Sequence, residues 1–138
     1  MISLFISISS IQAFSFFDGY YVPNKGQWQK DVLFLARGNG YNMFITNDAL
    51  NFDYFTTETQ GNSTIKHGHL VKMQMENANL TAFNSFEPSE WKLSFFYGNN
   101  PSNWAKDVQG FKILKVQNIY NNIDLLLKFE ENNPRYDF

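Results

Sequence analysis

The chain has 138 residues, enough for one domain with a substantial core. Its formal charge is −2, from 11 basic and 13 acidic residues of interspersed sign, so no basic stripe is present and nucleic acid is disfavoured as the main partner. The absence of cysteine removes disulfide scaffolds, thiolate-ligated zinc and thiol nucleophiles together, and leaves the compartment open. Aromatic residues make up 18% of the chain, which favours pleated, half-buried sheet. The same residue types populate binding surfaces, so composition does not separate core from interface.

Residues 1–17 carry no charge before Asp18. Ile2 to Ile11 is an apolar stretch of signal-peptide length, and Ile11-Gln12-Ala13 is a tolerable cleavage site, giving a mature start near Phe14. No Lys or Arg stands near Met1. The Ile/Ser alternation also suits a strand, and a short membrane anchor is the third reading, although the run is brief for a span. The working division is a signal peptide over 1–13 and one β domain over 14–138, with no membrane span.

Val32 to Ala36 is a continuous apolar run of strand length, followed by a turn at Arg37-Gly38-Asn39-Gly40. Tyr41 to Thr46 returns with Tyr41, Met43 and Ile45 on one face. Asn47-Asp48 turns again, and Leu50 to Thr56 alternates, completing an antiparallel meander. Thr57 to Thr64 reads as a polar loop, Leu70 to Met75 as a half-buried strand, and Asn77 to Glu90 as irregular chain. Trp91 to Tyr97 is the next strand, with Trp91, Leu93 and Phe95 sharing a face.

Gly98-Asn99-Asn100-Pro101-Ser102-Asn103-Trp104 carries the strongest local signal. Asn100 suits a helix N-cap, and Pro101 suits the first helical position, where its missing N–H has no intrahelical role. A single helical turn is expected there, with Trp104 folding back onto the sheet. Phe111 to Val116 and Ile123 to Phe129 are strands flanking a Tyr120-Asn121-Asn122 turn; Glu130 to Pro134 is a loop, and Arg135 to Phe138 begins another strand. No stretch sustains a 3.6-residue period. The expected fold is all-β, an antiparallel sandwich or curled sheet of short strands, and the strand begun at Tyr136-Asp137-Phe138 suggests the front part of a longer domain.

Several blocks in order resemble the uncharacterised N-terminal domain of large secreted bacterial proteins, especially of Bacteroidota. That domain commonly precedes seven-bladed-β-propeller-type (SBBP) repeats, or gliding-motility and type IX secretion sorting modules. The blocks are Asn24-Lys25-Gly26-Gln27-Trp28, the Gly68-His69 strand, Gly98 to Trp104, and Ile123-Asp124-Leu125 with Tyr120 before it. Asn100 stands where the family usually has Asp, and both residues cap helices. The resemblance implies an extracellular β domain without established catalytic residues. It marks Asn24, Gly26, Gln27, His69, Gly98, Asn99, Asn100, Pro101, Trp104 and Asp124 as motif residues of structural character.

No constellation points to chemistry. His67 and His69 share a strand face, but a metal needs further ligands and no acidic cluster lies near them in sequence. Adjacent Glu130 and Glu131 point to opposite faces of a strand. Asp124 reads as a staple for the Asn121-Asn122 turn. No Gly-x-Ser-x-Gly elbow or phosphate-cradling loop is present.

The expectation is therefore a non-catalytic structural or adhesive module of a secreted or cell-surface protein, without cofactor or metal. Its expected partners are downstream domains of the same protein and cell-surface polysaccharide or protein. The alternative is a carbohydrate- or peptide-binding sandwich that uses Trp91, Tyr97 and Trp104 as stacking surfaces, with Phe95 beside them.

Overall fold

The computed structural model describes residues 19–38 and 40–138. The segment read as a signal peptide lies outside the described residues, as does Asn39 of the first turn. Among the described residues nine strands follow in chain order: β1 (Tyr21–Pro23), β2 (Val32–Gly38), β3 (Tyr41–Thr46), β4 (Ala49–Gln60), β5 (Ser63–Gln74), β6 (Phe83–Phe96), β7 (Trp104–Tyr120), β8 (Ile123–Glu130) and β9 (Asn133–Asp137). One 3-10 turn, Pro101–Asn103, precedes β7. The fold is all-β, and every pairing is antiparallel.

Of the two architectures expected, the curled sheet is the one formed. The strands run in the order β5-β4-β3-β2-β1-β7-β8-β9, with β6 paired to β7, and the sheet bends into a half-barrel. The inner cluster joins Tyr21, Ile45 and Leu50 to Leu114, Leu125 and Leu127, all removed from water. A second cluster packs Val22, Leu35 and Phe44 against Phe95, Ala105 and Val108. β2 is covered on both faces, since Phe34 and Ala36 belong to the first cluster and Leu35 to the second. That double burial is why its sequence is an unbroken apolar run.

Hydroxyl groups tie distant strands together. Tyr21 donates to the carbonyl of Lys128 at 3.3 Å, Tyr41 to that of Asn132 at 3.1 Å, and Tyr120 to that of Glu76 at 3.0 Å. Burial pushes the Tyr21 phenol well above its ordinary value, with the nearby Tyr41 phenol adding to it.

Several segments differ from expectation, among them 104–110, which already belong to β7 where the strand was expected from Phe111. Residues 57–64, read as a polar loop, instead continue β4 and β5 into a long hairpin that turns at Gly61-Asn62, with Gln60 opposite Ser63. Residues 63–69 of β5 are exposed on both faces and carry no apolar alternation, while Leu70 to Gln74, expected to be half-buried, are exposed apart from the partly covered Met73. The stretch 77–90, read as irregular, contains the first half of β6. Pro88 is tolerated because β6 pairs only with β7 and the register shifts beside it, next to Glu87 at φ 53°. The loop expected over 130–134 tightens to Glu131-Asn132, both at positive φ, and lets Glu130 pair with Asn133.

Gly110 of β7 is required by a neighbour. A Cβ there would lie 2.7 Å from the Trp91 ring and 3.2 Å from Cβ of Tyr20. The Tyr20 and Trp91 rings themselves pack edge to face with centroids 5.0 Å apart. Gly110→Ala is expected to lose about 1–3 kcal/mol through overpacking. Urea denaturation checks this, and an unchanged midpoint would show that the indole swings away freely.

Candidate functional site

The motif residues assemble from two loops far apart in sequence. In the first, Asn24 fills its side-chain capacity with backbone. Its Nδ2 donates to the carbonyls of Gln29 (2.7 Å) and Val32 (2.8 Å), and its Oδ1 accepts from the N–H groups of Gly26 (3.0 Å) and Trp28 (3.2 Å). Gln27 closes the loop from the other side, accepting from the Lys25 N–H at 2.6 Å and donating to the Pro23 carbonyl at 2.9 Å. Gly26 holds φ +109°, a conformation that L side chains rarely adopt.

The second loop forms as its residue types predict. Asn100 sits in extended conformation as the N-cap, and its Oδ1 accepts from the N–H (3.1 Å) and hydroxyl (2.8 Å) of Ser102. Pro101 opens the 3-10 turn. Gly98 takes φ 62°, Asn99 lies in the bend that follows, and the Trp104 Nε1–H donates to the Gly98 carbonyl at 3.2 Å. The two loops meet: a Cβ on Gly26 would lie 3.5 Å from the Ser102 carbonyl oxygen. Between them opens an outer cleft of about 740 Å³, lined by Asn24, Gly26 and Trp28 from one loop, Ser102 and Asn103 from the other, and Phe83 beside them. Nothing in the sequence announced this convergence, because it depends on how the β6–β7 arm folds over β2.

The remaining motif residues lie elsewhere. His69 pairs across the ladder with Tyr54, and His67 with Thr56. The Nε2 of His67 is 3.7 Å from the Glu58 carboxylate, with both side chains largely in solvent. Among the described residues, no group of three or more His, Cys, Asp or Glu stands close enough to hold a metal. Asp124 is a staple, as expected, but not through Asn121 or Asn122. It accepts from the N–H of Asn118 at 2.9 Å and pairs with Lys115 at 2.8 Å. Asn118 sits at φ 51° where the β7–β8 register shifts, so the carboxylate pins a β-bulge.

The four aromatic residues considered as stacking surfaces separate. Trp91, Phe95 and Tyr97 pack in the second core cluster, where Phe95 meets Trp28 edge to face at 5.4 Å. Burial pushes the Tyr97 phenol above its ordinary value. Trp104 pairs instead with Phe96 at 5.6 Å, on the face opposite Phe95 and Ala105. Trp91, Tyr97 and Trp104 therefore do not form one platform.

A second concavity lies inside the curl. Tyr41, Phe52 and Tyr54 form its floor, Val71 and Met73 of β5 one wall, and Pro134 and Tyr136 of β9 the other, enclosing about 690 Å³. The Phe52 and Tyr54 rings lie nearly parallel with centroids 6.0 Å apart. Both walls are edge strands of the same sheet. The period-two pattern of β3 and β4 placed these rings on faces, but only the curl brings β5 and β9 to one cleft.

Charge on the surface is organised in pairs. Arg135 bridges Glu130 (2.7 Å) and Asp137 (2.9 Å), and Lys128 reaches Asp137 at 3.2 Å. Hydrogen bonds from Arg135 hold the Glu130 and Asp137 carboxyls below their ordinary range, and the Lys115 ammonium does so for Asp124. Lys72 does the same for Asp48 at 3.0 Å. Depressed carboxyl values contribute stability that is present above the ordinary carboxylate range and is lost as pH falls through the lowered values. The melting temperature is thus expected to be level near neutrality and to drop as pH falls below about 4. The drop should be shallower in Arg135→Gln, whose two carboxylates lose their shared partner. Parallel curves for the two proteins would show that these pairs contribute nothing measurable, as exposed pairs often do.

The model of a family described as Domain of unknown function (DUF7948) matches residues 21–138. No curated protein and no solved structure matches the chain. Among the described residues, no helix is long and apolar enough to cross a membrane, which says nothing of spans built from strands.

Proposed function

The chain belongs to the DUF7948 family, and from that premise we propose that it is a non-catalytic structural module of a secreted or cell-surface bacterial protein. The supporting observation is where the motif residues direct their polar groups. Asn24, Gln27, Asn100 and Asp124 bond to the loops and bulges that carry them, which is the behaviour of residues that hold shape. Location rests on the resemblance to N-terminal domains of exported proteins and on the leader-like residues 1–13. Downstream domains, such as SBBP repeats or a type IX sorting module, are the partners this reading supplies.

Protease treatment of intact producing cells, followed by detection with an antibody to this domain, tests the location. Digestion without lysis is the expected result, and protection until lysis would count against export. The structural role has its own readout. Asn100→Ala should lower the melting temperature of the domain while leaving attachment of the parent protein to the cell in proportion to its folded fraction. Loss of attachment at an unchanged melting temperature would instead make the Asn100 loop a binding element.

A polysaccharide- or protein-binding role has one observation in its favour, the outer cleft where the two motif loops meet. Its amide groups and the neighbouring Phe83 suit a sugar or a peptide better than the scattered Trp91, Tyr97 and Trp104 do. Calorimetric titration with cell-surface polysaccharide from the producing bacterium tests it, with Asn103→Ala as the variant expected to weaken binding. Absence of heat at millimolar sugar removes this reading.

A further inference from the structure

We propose that zinc joins two copies of this chain through the β4–β5 hairpin, with His67 and His69 of each copy ligating one Zn2+ across paired β5 edges. This goes beyond the module role above and does not depend on it. β5 ends the sheet order, so among the described residues its outer edge pairs with no strand. A free edge of 12 residues is a template for another strand. Lysines commonly guard such edges, but Lys66 and Lys72 are turned to Asp53 (3.6 Å) and Asp48 (3.0 Å). Their charge is matched within the chain and leaves the edge open to a second copy.

The histidines lie on the concave face. Val71 and Met73 line the inner cleft, and His69 and His67 continue the same face towards the hairpin tip. Both are exposed, and the Glu58 carboxylate lies 3.7 Å from Nε2 of His67. One strand supplies two imidazoles, whereas zinc in a closed site takes four ligands.

Antiparallel pairing of two β5 edges about Gly68 supplies the other two. In that register Gly68 meets its own copy, His67 meets His69, and Ile65 (38% exposed in the single chain) meets Val71 (44% exposed). Opposed Cβ atoms lie about 5 Å apart and alternate residues of a strand about 6.8 Å apart, so four imidazoles surround one point above the sheet. The Glu58 carboxylates beside them offset the charge of the dication. Pairing over residues 65–71 alone covers less than the roughly 800 Å² per partner of a stable complex, so the metal supplies the affinity.

Light scattering of the full chain, purified without an added histidine tag, tests this with zinc chloride alone. In chelator the chain should be a monomer, and zinc should convert it to a dimer that holds one ion per two chains by elemental analysis. His67→Gln and His69→Gln should each raise the zinc concentration for half-conversion at least ten-fold, with circular dichroism unchanged. A chain that stays monomeric in zinc overturns the proposal, as does a dimer indifferent to zinc or to both variants. The register has its own readout, since the chain has no cysteine. A Cβ on Gly68 would meet nothing closer than 3.5 Å, so Gly68→Cys fits. Its two copies would lie within about 5.5 Å between Cα atoms, a span a disulfide bridges. In zinc it should cross-link under mild oxidation at least ten-fold faster than Ser63→Cys at the hairpin tip, and equal rates overturn the pairing about Gly68.

Discussion

Asn24→Ala is expected to destabilise the domain by about 2–4 kcal/mol, because four hydrogen bonds disappear together, each contributing about 0.5–1 kcal/mol at a partly solvated loop. The loss is larger than for an ordinary surface residue, since the carbonyl of Val32 and the N–H of the nearly buried Trp28 are left without their partner. Trp28 also anchors Phe95 in the second cluster, so loosening the loop loosens the contact between β2 and the β6–β7 arm. Asn24→Asp separates the two halves of the effect. It keeps both acceptor contacts but replaces the amide donor with an oxygen facing two carbonyls, so its loss should equal or exceed that of alanine. Urea unfolding at constant m-value measures both. An aspartate variant as stable as the parent would show that the donated bonds matter little.

Leu114→Ala is expected to cost about 2–5 kcal/mol, the transfer free energy of the lost methyl groups plus the cavity they leave. Leu114 is fully buried in the middle of β7, opposite Leu127 of β8 and Ser85 of β6, so neighbours on both sides are pinned by ladders and cannot collapse into the space. Against a total stability of about 5–15 kcal/mol, such a loss removes a large share. Phe86→Ser supplies the comparison. Phe86 lies only one position further along β6 from Ser85, yet it is 47% exposed, so its replacement should cost well under half as much. Similar midpoints for the two variants would mean that the inner cluster is not the main source of stability.

The contrast between these two positions also shows how much could be read beforehand. The apolar run Val32 to Ala36 announced a strand, and Tyr41, Met43 and Ile45 announced one face of the next. The Asn100-Pro101 pair announced its own turn, because a cap and a fixed φ act within a few residues. Residues 57–64 and 77–90 failed for a shared reason. The exposed stretch 57–64 at the tip of the β4–β5 hairpin carries no apolar alternation, and a bulged edge strand such as the first half of β6 admits Pro88 and polar residues that otherwise signal loops. Asp124 was legible as a staple, but its partners were not, since Asn118 reaches it only through a bulge that the ladder imposes.

By itself, then, the sequence determined the sheet class, the antiparallel meander and the capped turn, because each depends on neighbours within a few positions or on a simple period. Tertiary structure alone decided that the sheet curls, that the Asn24 and Asn100 loops border one outer cleft, that Trp104 parts company with Trp91 and Tyr97, and that edge strands β5 and β9 face each other across an apolar hollow. These follow from twist accumulated over many strands and from packing between residues far apart in the chain, and no local pattern of side chains encodes either.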